Sequence, residues 1–267
     1  SKKTKYRDNI AALDVLLQLE EEHRNATPAE QATLAKYVGW GGLKEILLDP
    51  DNDALWKTDS DIELRNFVKE VYDRLNRLDE DGSQGLLSAA KRSILNAHYT
   101  SYDIINAIYD GVEKAGFKGG TILEPSAGIG NFLAAMPIDM ANHSEVTAIE
   151  MDRATGKILQ RLFPTAETYI TGFEKINLPE NHYDLVISNI PFGSVPVYDS
   201  QLAGLKDKRY KEASGNIHNY FFAKSILLAK PGAMIAFITS RYTLDSQQNN
   251  GVRELMNDTC EFCGAIR

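Results

Sequence analysis

Asn189-Ile190-Pro191-Phe192-Gly193 closes an apolar run, Asp184-Leu185-Val186-Ile187-Ser188, and these residue types suit one kind of chemistry. An exocyclic amine on a heterocyclic base is a poor nucleophile, because its lone pair is delocalised into the ring. Two acceptors placed on its hydrogens draw the nitrogen toward tetrahedral geometry and localise that pair. The side-chain oxygen of Asn189 and the backbone carbonyl of Ile190 can be those acceptors. Phe192 can stack on a base turned out of a duplex. Pro191 stiffens the loop, so the acceptors are held ready. No cysteine nucleophile is needed and none lies near, since the two cysteines are Cys260 and Cys263. Outside this context, Asn-x-Pro-Phe at a strand end is also a common turn.

A second constellation is Leu123-Glu124-Pro125-Ser126-Ala127-Gly128-Ile129-Gly130-Asn131-Phe132. A predicted strand runs into a Gly-x-Gly turn that opens a helix, and the glycines allow a ligand to approach the backbone closely. The third glycine of the dinucleotide fingerprint is missing. Glu124, just before the turn, would repel a pyrophosphate. It suits a cationic, amino-acid-like ligand, and S-adenosylmethionine, with its sulfonium and ammonium, fits better than a dinucleotide. The next apolar run ends in Glu150-Met151-Asp152. Glu150 is assigned to accept hydrogen bonds from ribose hydroxyls, and Asp152 to cap the following helix. A third run ends in Thr171-Gly172-Phe173-Glu174. Here Phe173 could stack on the ligand's adenine and Glu174 accept from its amino group; an ordinary turn is the alternative. Cys260-Glu261-Phe262-Cys263 offers two thiols with no second pair, too few for a zinc site, so no metal is expected.

The elements that must position these residues follow from periodicity. Predicted strands cover 121–127, 145–151, 168–171, 183–190, 233–239 and 262–266, with helices over 131–136, 153–162, 219–229 and 250–257. This alternation implies an α/β fold with a mostly parallel sheet covered on both faces. Ligands of such sheets sit at the carboxyl ends of the strands. Residues 1–96 read instead as helical. Ile10, Leu13, Leu16 and Leu17 recur at helical spacing. Thr27-Pro28-Ala29-Glu30 forms a capping box whose helix runs through Tyr37 to the breaker Gly39-Trp40-Gly41-Gly42, and a further helix spans 62–78. Thr100 and Asp103 form a second capping-box pattern. The expected division is therefore 1–96 helical and 97–267 α/β.

Bulk properties narrow the class. Net charge is −8, from 29 Lys+Arg against 37 Asp+Glu. This excludes a protein that coats nucleic acid through general basicity, though not one that grips it locally. One basic patch is Lys2, Lys3, Lys5 and Arg7; another is Lys206, Lys208, Arg209 and Lys211. The second lies in the long connection 193–216 with Tyr198 and Tyr210, a pairing that suits phosphate contact and base stacking. The alternative for each patch is a solvated face. Two cysteines imply no disulfide framework and point to the cytoplasm. No apolar run is long enough to span a membrane as a helix.

Glu-Pro-Ser-Ala-Gly-Ile-Gly-Asn-Phe followed by Asn-Ile-Pro-Phe-Gly resembles the cofactor and catalytic motifs of the amino-group DNA methyltransferases. Their usual catalytic motif is Asn/Asp-Pro-Pro-Tyr/Phe, from which Ile190 departs; that position contributes a carbonyl, which any residue supplies. Ala97-His98-Tyr99-Thr100-Ser101, placed before the Gly-rich turn, resembles the corresponding segment of the gamma type. The resemblance implies a Rossmann-like class I methyltransferase fold and transfer from S-adenosylmethionine to adenine N6 in DNA. It places Tyr99 and Thr100 beside the cofactor's methionine end. His98 has a surface position as its alternative. More loosely, Tyr37-Val38-Gly39-Trp40-Gly41-Gly42-Leu43 resembles the leader of large phage and plasmid methylase–helicase proteins of antirestriction. That implies a helicase region in a longer chain, of which this sequence, beginning at Ser1, is an excised part. Methylation of an RNA guanine or a protein glutamine, or a non-catalytic DNA-binding module, are the competing readings.

Overall fold

The computed structural model describes residues 1–79, 82, 85–94, 100–246 and 250–266. Four helices come first: α1 (Lys2–Glu21), α2 (Pro28–Leu34), α3 (Asp59–Leu78) and α4 (Leu86–Ser93). There follow α5 (Tyr102–Lys114), β1 (Thr121–Glu124), α6 (Asn131–Ala135), α7 (Ile138–Asn142), β2 (Glu145–Glu150), α8 (Arg153–Leu162), β3 (Glu167–Ile170) and β4 (Tyr183–Asn189). The order ends with α9 (Ser200–Ala203), α10 (Lys208–Ala213), α11 (Ile217–Leu228), β5 (Ala229–Ile238), α12 (Tyr242–Asp245) and α13 (Asn250–Thr259).

Two compact units divide the chain. One takes Ser1–Tyr99, Gly128–Gly130 and Asp152–Pro164; the other takes Thr100–Ala127, Asn131–Met151 and Thr165–Arg267. The first unit is helical and includes α8. Its core joins Leu13, Leu16 and Leu17 of α1 to Val68, Val71 and Leu75 of α3 and to Ala154 and Ile158 of α8. Glu20 of α1 pairs with Lys157 and Arg161 of α8, and these bonds hold its carboxylate low despite the opposing effect of burial. Both expected caps are present: Thr27 and Glu30 form a reciprocal capping box, and Asp152 accepts from the Thr155 N–H at 2.9 Å. The helix begun at Thr27 stops at Leu34 rather than running to Tyr37. Its last turn tightens to i+3 bonds, Lys36 to Thr33 and Tyr37 to Leu34, ahead of Gly39 at φ 59°. Gly39 and Trp40 of the breaker are buried, while Gly42 is exposed. Trp40 packs edge-on to Tyr37, while Asn9 donates to the Gly39 carbonyl at 2.7 Å and accepts from the Val38 N–H at 2.9 Å.

The second unit is built on a five-stranded sheet in the order β3-β2-β1-β4-β5, parallel at every pairing. Its cores lie on the two faces of that sheet's central strands, with Leu123 and Val186 in one cluster and Ile122, Leu185 and Ile187 in the other. Several predicted bounds shift. The first strand stops at Glu124 because Pro125 has no N–H to continue a ladder. The last begins at Ala229, with an irregular step in its pairing to β4 between Tyr183 and Leu185. The strand expected over 262–266 is absent. Phe262 and Ile266 are exposed, and no described strand offers them a ladder. Ser101 rather than Thr100 is the N-cap of α5, without a side-chain cap bond.

Replacing Asn9 by alanine would leave the Gly39 carbonyl and the Val38 N–H buried without their partner. The expected loss is about 2–3 kcal/mol of unfolding free energy, read as a lower urea midpoint at unchanged slope.

Candidate active site

The parallel sheet brings the ends of β1, β2, β3 and β4 to one edge. Glu124 lies opposite Ala148 in the register, so Glu150 follows two residues further along β2. The Ala127 N–H donates to the Ile149 carbonyl at 2.9 Å, fixing the chain after β1 against β2. Glu124 is 1 % exposed, and Glu150 is also buried. Burial pushes the Glu124 carboxyl well above the usual carboxylate range, and the negative charge of Glu150 adds to the shift. The Oε2 of Glu124 is buried with no hydrogen-bond partner among the described residues. Such a group is costly to leave unpartnered, and a cationic ligand would relieve it. Pro125 beside it is buried and Ser126 half-buried. In the helical unit, Gly128 sits at φ 58° with open space where a Cβ would be. Gly130, at φ 90°, lies so close to Phe163 and Leu159 that a side chain there would displace them.

β4 delivers Asn189. Its Nδ2 donates to Thr100 Oγ1 at 3.0 Å, which turns the amide's oxygen away from Thr100. This contact gives Thr100 a place at the β4 loop instead of the helix cap that its sequence pattern suggested. Ile190 is buried, and its N–H donates to the Ile238 carbonyl at 3.1 Å, adding one rung beyond the end of β4. A proline at that position could not donate. Isoleucine in the motif therefore contributes an anchor that proline lacks, while keeping the backbone carbonyl. Pro191 is half-buried, and Phe192 stands 39 % exposed. His218 of α11 hydrogen-bonds the backbone of Gly193, and burial holds its imidazole below the usual histidine range.

The turn after β3 is arranged differently from expectation. Phe173 is a core residue: its ring lies 5.1 Å from that of Phe221 and edge-on to Tyr220, so stacking on a ligand is not the role its placement favours. Glu174 is half-buried and folds back over Gly172, where a Cβ would collide with its carboxylate. Tyr99 lies outside the described residues. In the 193–216 segment, Lys206, Lys208 and Lys211 are exposed. Arg209 is instead tied to Asp207 at 2.7 Å and Asp258 at 2.5 Å, which raise its already high pKa.

Sequence reasoning missed two features. Arg241 and Tyr242 are exposed directly after β5, with the guanidinium 5.2 Å from the ring; Ile238 is the register partner of Asn189. Lys224 is fully buried in α11 and paired with Asp199. A lysine inside the apolar run of that helix was the available signal, since a buried charge requires a partner.

With this geometry in place, comparison with known proteins becomes informative. A candidate class I S-adenosylmethionine-dependent methyltransferase from Listeria monocytogenes superposes over 95% of this chain and 79% of its own, with a TM-score of 0.52 at 17% identity. The fold is that of the class I S-adenosylmethionine-dependent methyltransferases. The methyltransferase subunit of a type I restriction-modification system from Streptococcus thermophilus matches with a TM-score of 0.51 at 13% identity, over 92% of this chain and 59% of its own. Residues 134–264 match the Eco57I restriction-modification methylase family. The Defense against restriction protein B of Escherichia phage P1 is 27% identical over 175 residues, and the Type II methyltransferase M.HincII of Haemophilus influenzae is 27% identical over 185. These alignments take in 65% and 66% of this chain but only 7% and 34% of the two relatives. The class I fold thus occurs here in a chain related to restriction-modification and antirestriction proteins. No helix among the described residues is long and apolar enough to cross a membrane, and none of their side chains form a metal-binding cluster.

The buried carboxylate gives a pH test. Because the folded pKa of Glu124 is raised, its contribution to stability is full below the ordinary glutamate value near 4.5 and is lost as pH rises through the folded value. Glu124→Gln is therefore expected to melt higher than the parent at pH 8, with the gap narrowing toward pH 4–5. A gap independent of pH would contradict the buried ionisation.

Proposed function

We propose that this chain transfers a methyl group from S-adenosylmethionine to the exocyclic N6 amine of adenine in DNA, in mobile-element DNA modification or antirestriction. The observation that carries the reading is Asn189, oriented by Thr100 at the end of β4, followed by the anchored Ile190 and the half-exposed Phe192. The class I fold and the restriction-modification relatives support it.

Glu124 fits the cofactor, because its buried Oε2 has no partner among the described residues and calls for a cation, and Glu150 is buried at the neighbouring strand end. Glu124 would face the methionine ammonium and Glu150 the ribose hydroxyls. Glu174 would accept from the adenine amine. Thr100, Pro125 and Ser126 would line the remainder, and Gly128 and Gly130 keep the cofactor role that the sequence motif gives them. When bound, the cofactor supplies a methyl group on a sulfonium centre. Asn189 Oδ1 and the Ile190 carbonyl would each accept one N6 hydrogen, localising the nitrogen's lone pair so that it could take up the methyl group that the bound cofactor would supply. The surplus N6 proton passes to water. Phe192 stacks on the flipped base, and Lys206, Lys208 and Lys211 approach the phosphates. DNA is the proposed partner, with a helicase region belonging to a longer protein.

Asn189→Ala is expected to lower the rate of labelled-methyl transfer to unmethylated DNA by at least a hundredfold while S-adenosylmethionine still binds by calorimetry. Transfer to RNA or to a protein glutamine, with none to DNA, would overturn the substrate assignment. Affinity for the cofactor should rise with pH as Glu124 loses its proton, because the carboxylate is the form that holds a cation. Flat affinity from pH 5 to 9 would remove Glu124 from the ammonium site.

A further inference from the structure

Lys224 has no exposed surface, and all three of its hydrogen bonds go to segments outside its own helix. Its Nζ donates to the Phe173 carbonyl at 2.7 Å, the Ile176 carbonyl at 2.8 Å and Asp199 Oδ2 at 2.6 Å. It also lies 4.7 Å from the centre of the Phe173 ring. Asp199 uses its other oxygen to cap α9, accepting from the N–H groups of Gln201 and Leu202, while Oδ2 also accepts from the Tyr220 hydroxyl at 2.7 Å. Every donor of this ammonium is thus committed.

The two segments joined here are distant in sequence and both bear on the proposed reaction. Phe173 and Ile176 bracket the turn that presents Glu174, whose charge also acts on Lys224. Asp199 anchors the segment that follows the Asn189–Gly193 loop, two residues after the Val197 N–H bonds the Ser214 carbonyl, and the exposed lysines come after it. A buried ion pair is a poor source of stability, since desolvation offsets most of the Coulomb gain, so a role in positioning is the better account of its presence. We propose that Lys224 is a positioning residue that fastens the turn after β3 and the strap 194–216 to one point, so that a ligand on the turn restrains the strap. The inference deepens the methyltransferase reading and rests on it for the identity of that ligand.

The double variant Lys224→Met with Asp199→Asn tests it. It buries no charge, and asparagine caps a helix as well as aspartate, but the Phe173 and Ile176 carbonyls lose their donor, so the variant is expected to fold with a lowered melting temperature. The readout is the rate of tryptic cleavage at Lys206, Lys208 and Lys211, measured with and without S-adenosylmethionine. Without ligand, cleavage should be at least tenfold faster in the double variant when each protein is held equally far below its own melting temperature. In the parent, saturating ligand should slow it severalfold, and in the double variant the ligand should have no such effect. Tyr220→Phe, which removes one bond to Asp199, should speed cleavage by about twofold to fivefold and serves if the double variant does not fold. Equal ligand-free rates in parent and variants would overturn the anchor. Cleavage in the parent that ignores a ligand shown by calorimetry to bind would overturn the linkage. Failure of the parent to bind S-adenosylmethionine would instead sink the cofactor reading, and the ligand-free rates would still judge the anchor.

Discussion

Parallel pairing is the constraint on which the site depends. Because β1 runs parallel to both β2 and β4, the residues that end these strands must emerge on the same edge of the sheet. Glu124, Glu150 and Asn189 are separated by long stretches of chain, yet the hydrogen-bond register alone brings them to one rim. Nothing about their side chains achieves this. The apolar runs behind them do, by requiring burial on both faces and leaving only the strand ends for polar groups.

That placement has an electrostatic cost. Two carboxylates at neighbouring strand ends repel each other and lose hydration, and Glu124 responds with a raised pKa. The sheet edge therefore holds, in Glu124, a buried carboxyl that keeps its proton more readily than an exposed one and whose Oε2 has no partner among the described residues. Lys224 is the opposite case. There too an ion is buried, but every donor is matched and the result is fixation, not readiness. One fold holds both kinds of buried charge, and the difference between them lies in the number of partners supplied.

The alternation of strands and helices was legible because the hydrophobic period changes near position 98, and the capping residues Thr27 and Asp152 declared themselves by type and spacing. The strand ends carrying Glu124, Glu150 and Asn189 were legible for the same reason. Three features were not. An apolar run at 262–266 has the composition of a strand, but a ladder also needs a neighbour, which composition cannot reveal. Phe173 next to Glu174 looks like a ligand-facing pair, while the three-dimensional fold turns the ring toward Phe221 and Tyr220. Thr100 matches a capping box, but its hydroxyl meets Asn189, 89 positions away. Local pattern describes what a residue can do, and long-range packing selects among those options.

The membership of α8 in the helical unit bears on how such a chain can be rearranged. The polypeptide enters that unit three times: at its start, at Gly128–Gly130 and again at Asp152–Pro164. The apolar face of α8, with Ala154 and Ile158, is covered by residues from the first ninety-odd positions. A genetic exchange that replaced only the leading helices would hand this face a surface for which it was not matched. The helical unit is thus discontinuous in sequence although its pieces share one core.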